Sequence, residues 1–207
     1  MANRLNRSVK VAIAKQLSND KELQLKTRQI IEKQFRTAHQ KLMNDFESHA
    51  VTRELRAGSG GSNVSGTLPE GNLFGFIGFT SGTDPVDAIE KLLSKTDIII
   101  RRRKIGSFGF VWTYLVTSPS MQDLYGITPL PWANGSSWLR ELEGRGIPNL
   151  GQYMHKRINS SRSGAGFQNR NRPEGGRVRI PYIKQLLQQF ELNLNTIQAS
   201  RVSKKYF

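Results

Sequence analysis

The residues in this sequence whose types could do chemistry are few. His39 and His49 stand ten residues apart, and His155 is remote from both. Neither HxxxH nor HExxH occurs, so no pair of histidines has ligand spacing on one helix face. There is no cysteine, which excludes thiolate ligands, thiol nucleophiles and disulfides. A metal site would have to combine carboxylates with histidine. Glu141 and Glu143 form an acidic pair, but Arg140 and Arg145 lie beside them, the pattern of solvated or ion-paired acids. No GxSxG elbow sets up a nucleophile. Residues 57–72 (AGSGGSNVSGTLPEGN) are glycine-rich, yet they lack the GxxxxGK[ST] spacing and the lysine that cradle a phosphate. These observations argue against an enzyme and against a bound cofactor or metal.

What remains is charge. Residues 97–117, DIIIRRRKIGSFGFVWTYLVT, hold four consecutive basic residues, Arg101, Arg102, Arg103 and Lys104. Three isoleucines precede them. A Gly-Ser link follows, and then aromatic and aliphatic residues alternate with period two. The pattern predicts a central β-hairpin. Successive strand residues face opposite ways, so Arg101 and Arg103 share one face and Arg102 and Lys104 the other. Trp112 and Tyr114 are expected to be largely buried. A second basic stretch, within residues 144–180, includes Arg162, Arg170 and Arg172 among glycine, serine and asparagine. Residues 160–176 have almost no apolar content, which predicts mobility in isolation. All seven cations are candidates for facing DNA or a neighbouring subunit.

The whole chain is biased the same way: 31 Lys and Arg against 16 Asp and Glu, a formal net charge of +15. Such a balance favours acidic partners, nucleic acid among them. No apolar run approaches the roughly 18 residues of a membrane span. The first residues show no long apolar segment of a secretion signal, so no membrane partner is expected. No RRM, zinc-finger or helix-turn-helix signature accompanies the basic residues. Contact with nucleic acid would therefore read no sequence.

The elements that must position these residues can be laid out in order. Residues 1–56 contain neither proline nor glycine. Leu23, Ile30, Ile31, Phe35, Ala38, Leu42 and Phe46 recur at three- and four-residue steps and form one helix stripe. A short basic helix or arm precedes it, to about residue 20. Residues 57–72 are expected as a flexible loop, and residues 73–80 (LFGFIGFT) as a short strand. A helix starts near Asp84-Pro85 and buries Val86, Ile89, Leu92 and Leu93. After the hairpin, residues 119–135 read as an irregular loop. Its apolar Leu124, Tyr125, Leu130 and Trp132 suit either folding back on the core or docking on a neighbour. Ser136 or Ser137 caps a helix over residues 138–143. A last strand is expected over residues 177–180, and Pro181 opens a final helix with Ile183, Leu186, Leu187, Phe190 and Leu194 on its stripe. The expected fold is α+β. A small, mostly antiparallel sheet with a central hairpin packs against a long N-terminal and a C-terminal helix. The expected organisation is an arm over residues 1–20, one domain over 21–195 and a basic tail over 196–207.

This order resembles the neck proteins of tailed bacteriophages, the tail-terminator and head–tail joining family. The long helix is followed by Gly66-Thr67-Leu68, similar to that family's G-x-L motif. Trp138 through Glu143-Gly144 is similar to its aromatic segment ending in Glu and Gly, and Pro181-Tyr182 to the pair that opens its last helix. The resemblance covers about residues 25–195; the N-terminal arm and the 119–135 loop depart from it. It implies a virion protein, assembled in the host cytoplasm into a homo-oligomeric ring, six- or twelve-fold, around the DNA passage. The implied partners are other neck, portal-adaptor or tail-tube proteins and genomic DNA. The alternative from the residues themselves is a nucleic-acid-binding protein without sequence specificity.

Overall fold

The structure is a computed structural model. It describes residues 20–66, 71–105, 109–145 and 180–202, together with Val9, Ala12 and Gln16. The expected last strand over 177–180 therefore lies almost wholly outside the described residues, as do Arg162, Arg170 and Arg172 and the tail beyond Val202. The fold class is α+β, as expected. Among the described residues, however, the strands form two separate two-stranded antiparallel ribbons, and the core is mostly helical.

Helix α1 spans Lys21–Ser48. Asp20 opens it: its carboxylate accepts from the backbone N–H of Glu22 at 2.9 Å and of Leu23 at 3.2 Å, satisfying donors that a first helical turn leaves without partners. The stripe is buried from Phe35 onward, through Ala38, Leu42 and Phe46. Leu23 and Ile30, expected on the same stripe, are exposed. Helix α2 (Ala50–Arg56) follows after one residue. His49 makes that break possible, because its Nδ1 accepts from the Val51 N–H at 3.2 Å.

Residues 73–80 correct the strand expectation. Leu73–Ile77 form helix α3. Asn72 caps it by accepting from the Gly75 N–H at 2.8 Å, and Gly78 ends it in the left-handed region at φ 88. Leu73, Phe74 and Ile77 are all buried, at the i, i+1, i+4 spacing of a helix face. A cap before and a glycine after thus outweigh the β-propensity of the aromatic residues. The preceding loop is also not the loose linker that its composition suggests. Glu54 of α2 is fully buried and accepts from the backbone N–H of Leu73 at 2.6 Å and of Ser65 at 2.8 Å. Asn72 donates to the carbonyls of Gly58 and Gly61.

Helix α4 (Asp87–Leu93) leads into β1 (Asp97–Ile105) and β2 (Gly109–Thr117). The 119–135 segment is more regular than expected. It holds α5 (Met121–Gly126), opened by a reciprocal cap between Ser120 and Asp123, and the ribbon of β3 (Pro129–Leu130) with β4 (Ala133–Ser137). Helix α6 (Trp138–Arg140), capped by Ser137, continues as a wider π turn over Glu141–Arg145. The final helix α7 (Ile183–Val202) begins two residues after Pro181 and runs into the expected tail.

The chain divides into two compact units. One comprises residues 40–95 and 119–193, the other residues 1–39, 96–118 and 194–207. The hydrophobic core belongs to the first. Phe46, Leu55, Leu73, Phe74, Ile89, Leu93, Leu124, Trp138, Leu139 and Tyr182 are its large buried members. The hairpin belongs to the second, and no described hairpin residue is among the buried members of that core.

Candidate interaction surface

The hairpin pairs in continuous antiparallel register. Asp97 lies opposite Thr117, Ile99 opposite Leu115, Arg101 opposite Thr113, Arg102 opposite Trp112, Arg103 opposite Val111 and Lys104 opposite Phe110. Directly opposed residues share a face. One face therefore carries Ile98, Ile100, Arg102, Trp112, Tyr114 and Val116. The other carries Ile99, Arg101, Arg103, Val111, Thr113 and Leu115. The basic run is thus split between faces by the pleat.

Burial distinguishes the two faces. Ile98, Ile100, Trp112, Tyr114 and Val116 are half-buried, whereas every residue named on the second face is exposed. Trp112 and Tyr114 are consequently less covered than their spacing suggests, because among the described residues this sheet has two strands and is not the middle of a larger one. The exposed face is chemically mixed. Ile99, Val111 and Leu115 are 42%, 39% and 59% exposed, and Arg101 and Arg103 stand among them. Such a face has cations for an acidic partner and aliphatic carbon that water solvates poorly.

The second candidate set, in residues 119–135, separates on inspection. Leu124 and Leu130 are buried in the chain's own core. Tyr125 is half-buried with the Arg140 guanidinium 4.9 Å from its ring centre, a cation–π distance. Trp132 alone of the four offers much surface, at 49% exposure. Its indole N–H is already committed, donating to the Ile77 carbonyl at 2.8 Å. Its ring lies over Gly78, where an added Cβ would come within 3.4 Å of the indole.

A polar cluster not singled out by the sequence sits beside the core. Arg56, at the end of α2, is held by Glu47 of α1, Glu90 of α4 and Asp84 in the turn before α4, the last with its Oδ2 3.4 Å from Nε. These carboxylates raise the arginine's pKa against the opposing effect of burial, which is the larger single influence. Nearby, the buried Tyr182 hydroxyl and Thr52 hydroxyl share a hydrogen bond of 2.6 Å. The His49 ring lies 4.7 Å from that of Tyr182. Burial holds the tyrosine protonated well above its usual range and pushes His49 below its ordinary value. A further acid, Glu143 of the π turn, closes the start of α7 by accepting from the Lys184 N–H at 2.9 Å. Burial raises its pKa, with backbone donors of Tyr182, Ile183 and Lys184 acting in the other direction.

The partners of these groups define their work. Glu54, Arg56, His49, Thr52 and Tyr182 each bind another element of the same unit, so they fasten α1, α2, α4 and the start of α7 together. Glu54 lies on the helix stripe of Val51, Thr52 and Leu55, a placement the sequence shows, but its partners at Ser65 and Leu73 are distant in the chain. Among the described residues no group of three or more His, Cys, Asp and Glu is placed to hold a metal ion. No helix among them is long and apolar enough to cross a membrane. Compared with protein-family models, curated proteins and solved structures, the chain matches none.

Proposed function

We propose that this chain is a structural protein of the tailed-phage neck, assembling as a ring of identical subunits around the DNA passage. The observation that carries this reading is the hairpin. It gives nine residues to each strand, has no described residue among the buried members of the core, and exposes Ile99, Val111 and Leu115 beside Arg101 and Arg103. Apolar carbon on a cationic ribbon gains stability when a neighbour covers it, so the element suits a protein whose finished surface is the assembly. The +15 charge suits neighbours or cargo of opposite sign. The long helix, the hairpin and the C-terminal helix keep the order on which the resemblance to head–tail joining proteins rests, although the strand expected after the G-x-L motif is the helix α3. Contacts in the ring would involve the exposed hairpin face and Trp132, with Arg162, Arg170 and Arg172 as further candidates by composition.

The test is the location of the chain in purified particles, by immunogold labelling or density in the neck. Closed rings of the chain at the head–tail junction are the expected outcome. Absence from the particle would overturn the proposal.

A second reading, a free nucleic-acid-binding protein, draws on the exposed Arg101 and Arg103, two residues apart on one face of a two-stranded ribbon. It requires that log affinity for duplex DNA fall with log salt at a slope of about −0.9 per phosphate neutralised. A purified chain that stays monomeric and binds DNA with that steep dependence would favour this reading over the neck.

A further inference from the structure

The two edges of the hairpin differ in a way that selects a partner. Strand β1 carries Arg101, Arg102, Arg103 and Lys104. Strand β2, GFVWTYLVT, has no charged residue and no proline over nine residues. Among the described residues neither strand pairs with a third. Proteins protect an open sheet edge with charge, proline or a bulge, because its free N–H and C=O groups otherwise accept another strand. The β1 edge is protected by its cations. The β2 edge has none of these devices.

We infer that the outer edge of β2 pairs with the same edge of a second copy of this chain, antiparallel about a two-fold axis at Thr113. Thr113 is the middle residue of β2. In that register each Val111 lies opposite Leu115 of the second copy, and each Trp112 opposite its Tyr114. No charge is brought against a charge. The result is a four-stranded sheet in the order β1-β2-β2-β1, with both basic strands outside. On its exposed face each copy's Ile99 and Leu115 join the other copy's Val111, and arginines bound the two apolar patches so formed.

Charge decides between this arrangement and its rivals. Pairing β1 with β1 would lay arginines beside arginines. Pairing β1 with β2 head-to-tail leaves an unprotected β2 edge at the end of every chain that does not close. The two-fold arrangement covers both open edges in one step and ends in protected ones. It also converts a ribbon of two strands, marginal in water by itself, into a sheet of four. A strand of nine residues is about 30 Å long, so the contact falls at the small end of specific interfaces and should depend on concentration. The inference concerns the free chain and does not rest on the neck reading.

The experiment is light scattering and sedimentation equilibrium of the purified full chain across a concentration series. The expected result is a monomer–dimer equilibrium. Thr113→Lys should weaken the dimer at least tenfold by opposing like charges at the axis, and Leu115→Lys should act in the same direction. Circular dichroism melts check that both variants remain folded. Because the sequence contains no cysteine, Thr113→Cys gives an independent readout: mild oxidation should link two copies, whereas Ile99→Cys on β1 should not. A wild-type chain that stays monomeric, or dimers indifferent to Thr113→Lys, would overturn the inference. So would efficient linking through Ile99→Cys without linking through Thr113→Cys. Presence or absence of the chain in particles leaves this result untouched.

Discussion

The two compact units treat charge in opposite ways. Residues 1–39, 96–118 and 194–207 hold sixteen Lys and Arg against four Asp and Glu, which is +12 of the chain's +15. The other unit, residues 40–95 and 119–193, holds fifteen basic and twelve acidic side chains, a net of +3. There the acids have internal work: Glu54 holds a loop, Glu47, Asp84 and Glu90 hold Arg56, Asp123 caps α5 and Glu143 caps α7. In the hairpin unit the few acids serve locally, Asp20 at a helix start and Glu22 and Glu32 in exposed i,i+4 pairs with Lys26 and Arg28. Neither Arg101 nor Arg103 forms an ion pair with a described residue. The comparison teaches that charge in the core unit is spent on internal contacts, whereas Arg101 and Arg103 on the hairpin stand exposed without an ion pair to a described residue.

The largest test of that contrast is Glu54→Ala. It leaves the Leu73 and Ser65 N–H groups without their acceptor inside the protein and should destabilise the fold by about 3 kcal/mol, read from urea unfolding. A loss under about 0.5 kcal/mol would mean that the loop is held by other contacts. A smaller effect belongs to His49. Its pKa lies below the ordinary 6.5 because burial disfavours the imidazolium. The unfolded chain therefore takes up this proton first, and stability should fall as pH drops through 6.5 toward the lowered value. His49→Asn keeps a capping acceptor without that titration. Thermal melts between pH 7.5 and 5.5 should show a shallower loss for the variant; identical slopes would assign the effect elsewhere. The smallest expected effect on stability is that of Arg101→Glu with Arg103→Glu, within about 0.5 kcal/mol, while assembly or DNA association is lost. Unfolding of the chain by this double change would erase the contrast between the units.

Much of this was legible in the residues. The long amphipathic helix, the hairpin with its alternating faces, the helix after Asp84-Pro85 and the C-terminal helix all follow from periodicity and turn signals. The α3 segment was not legible by composition, because LFGFIGFT has the residues of a strand. Only the Asn72 cap and the left-handed Gly78 reveal its helix. The hairpin's position was also hidden. Alternation tells which residues share a face but not whether anything covers that face, so Trp112 and Tyr114 look like core until a third strand is found to be missing among the described residues. Glu54 and Arg56 depend on partners 9 to 34 residues away, a separation at which local patterns carry no information.

The tryptophans fall in three different settings. Trp138 is sealed in the core, Trp132 is half in solvent over Gly78, and Trp112 stands half-buried in the hairpin. The chain therefore carries its own optical gauge. Emission from Trp138 should stay blue and constant for as long as the helical unit is folded, Trp132 supplies a steady red component, and Trp112 reports on whatever meets the ribbon. A spectral shift without loss of the blue component would register a partner arriving at the hairpin, with no label attached.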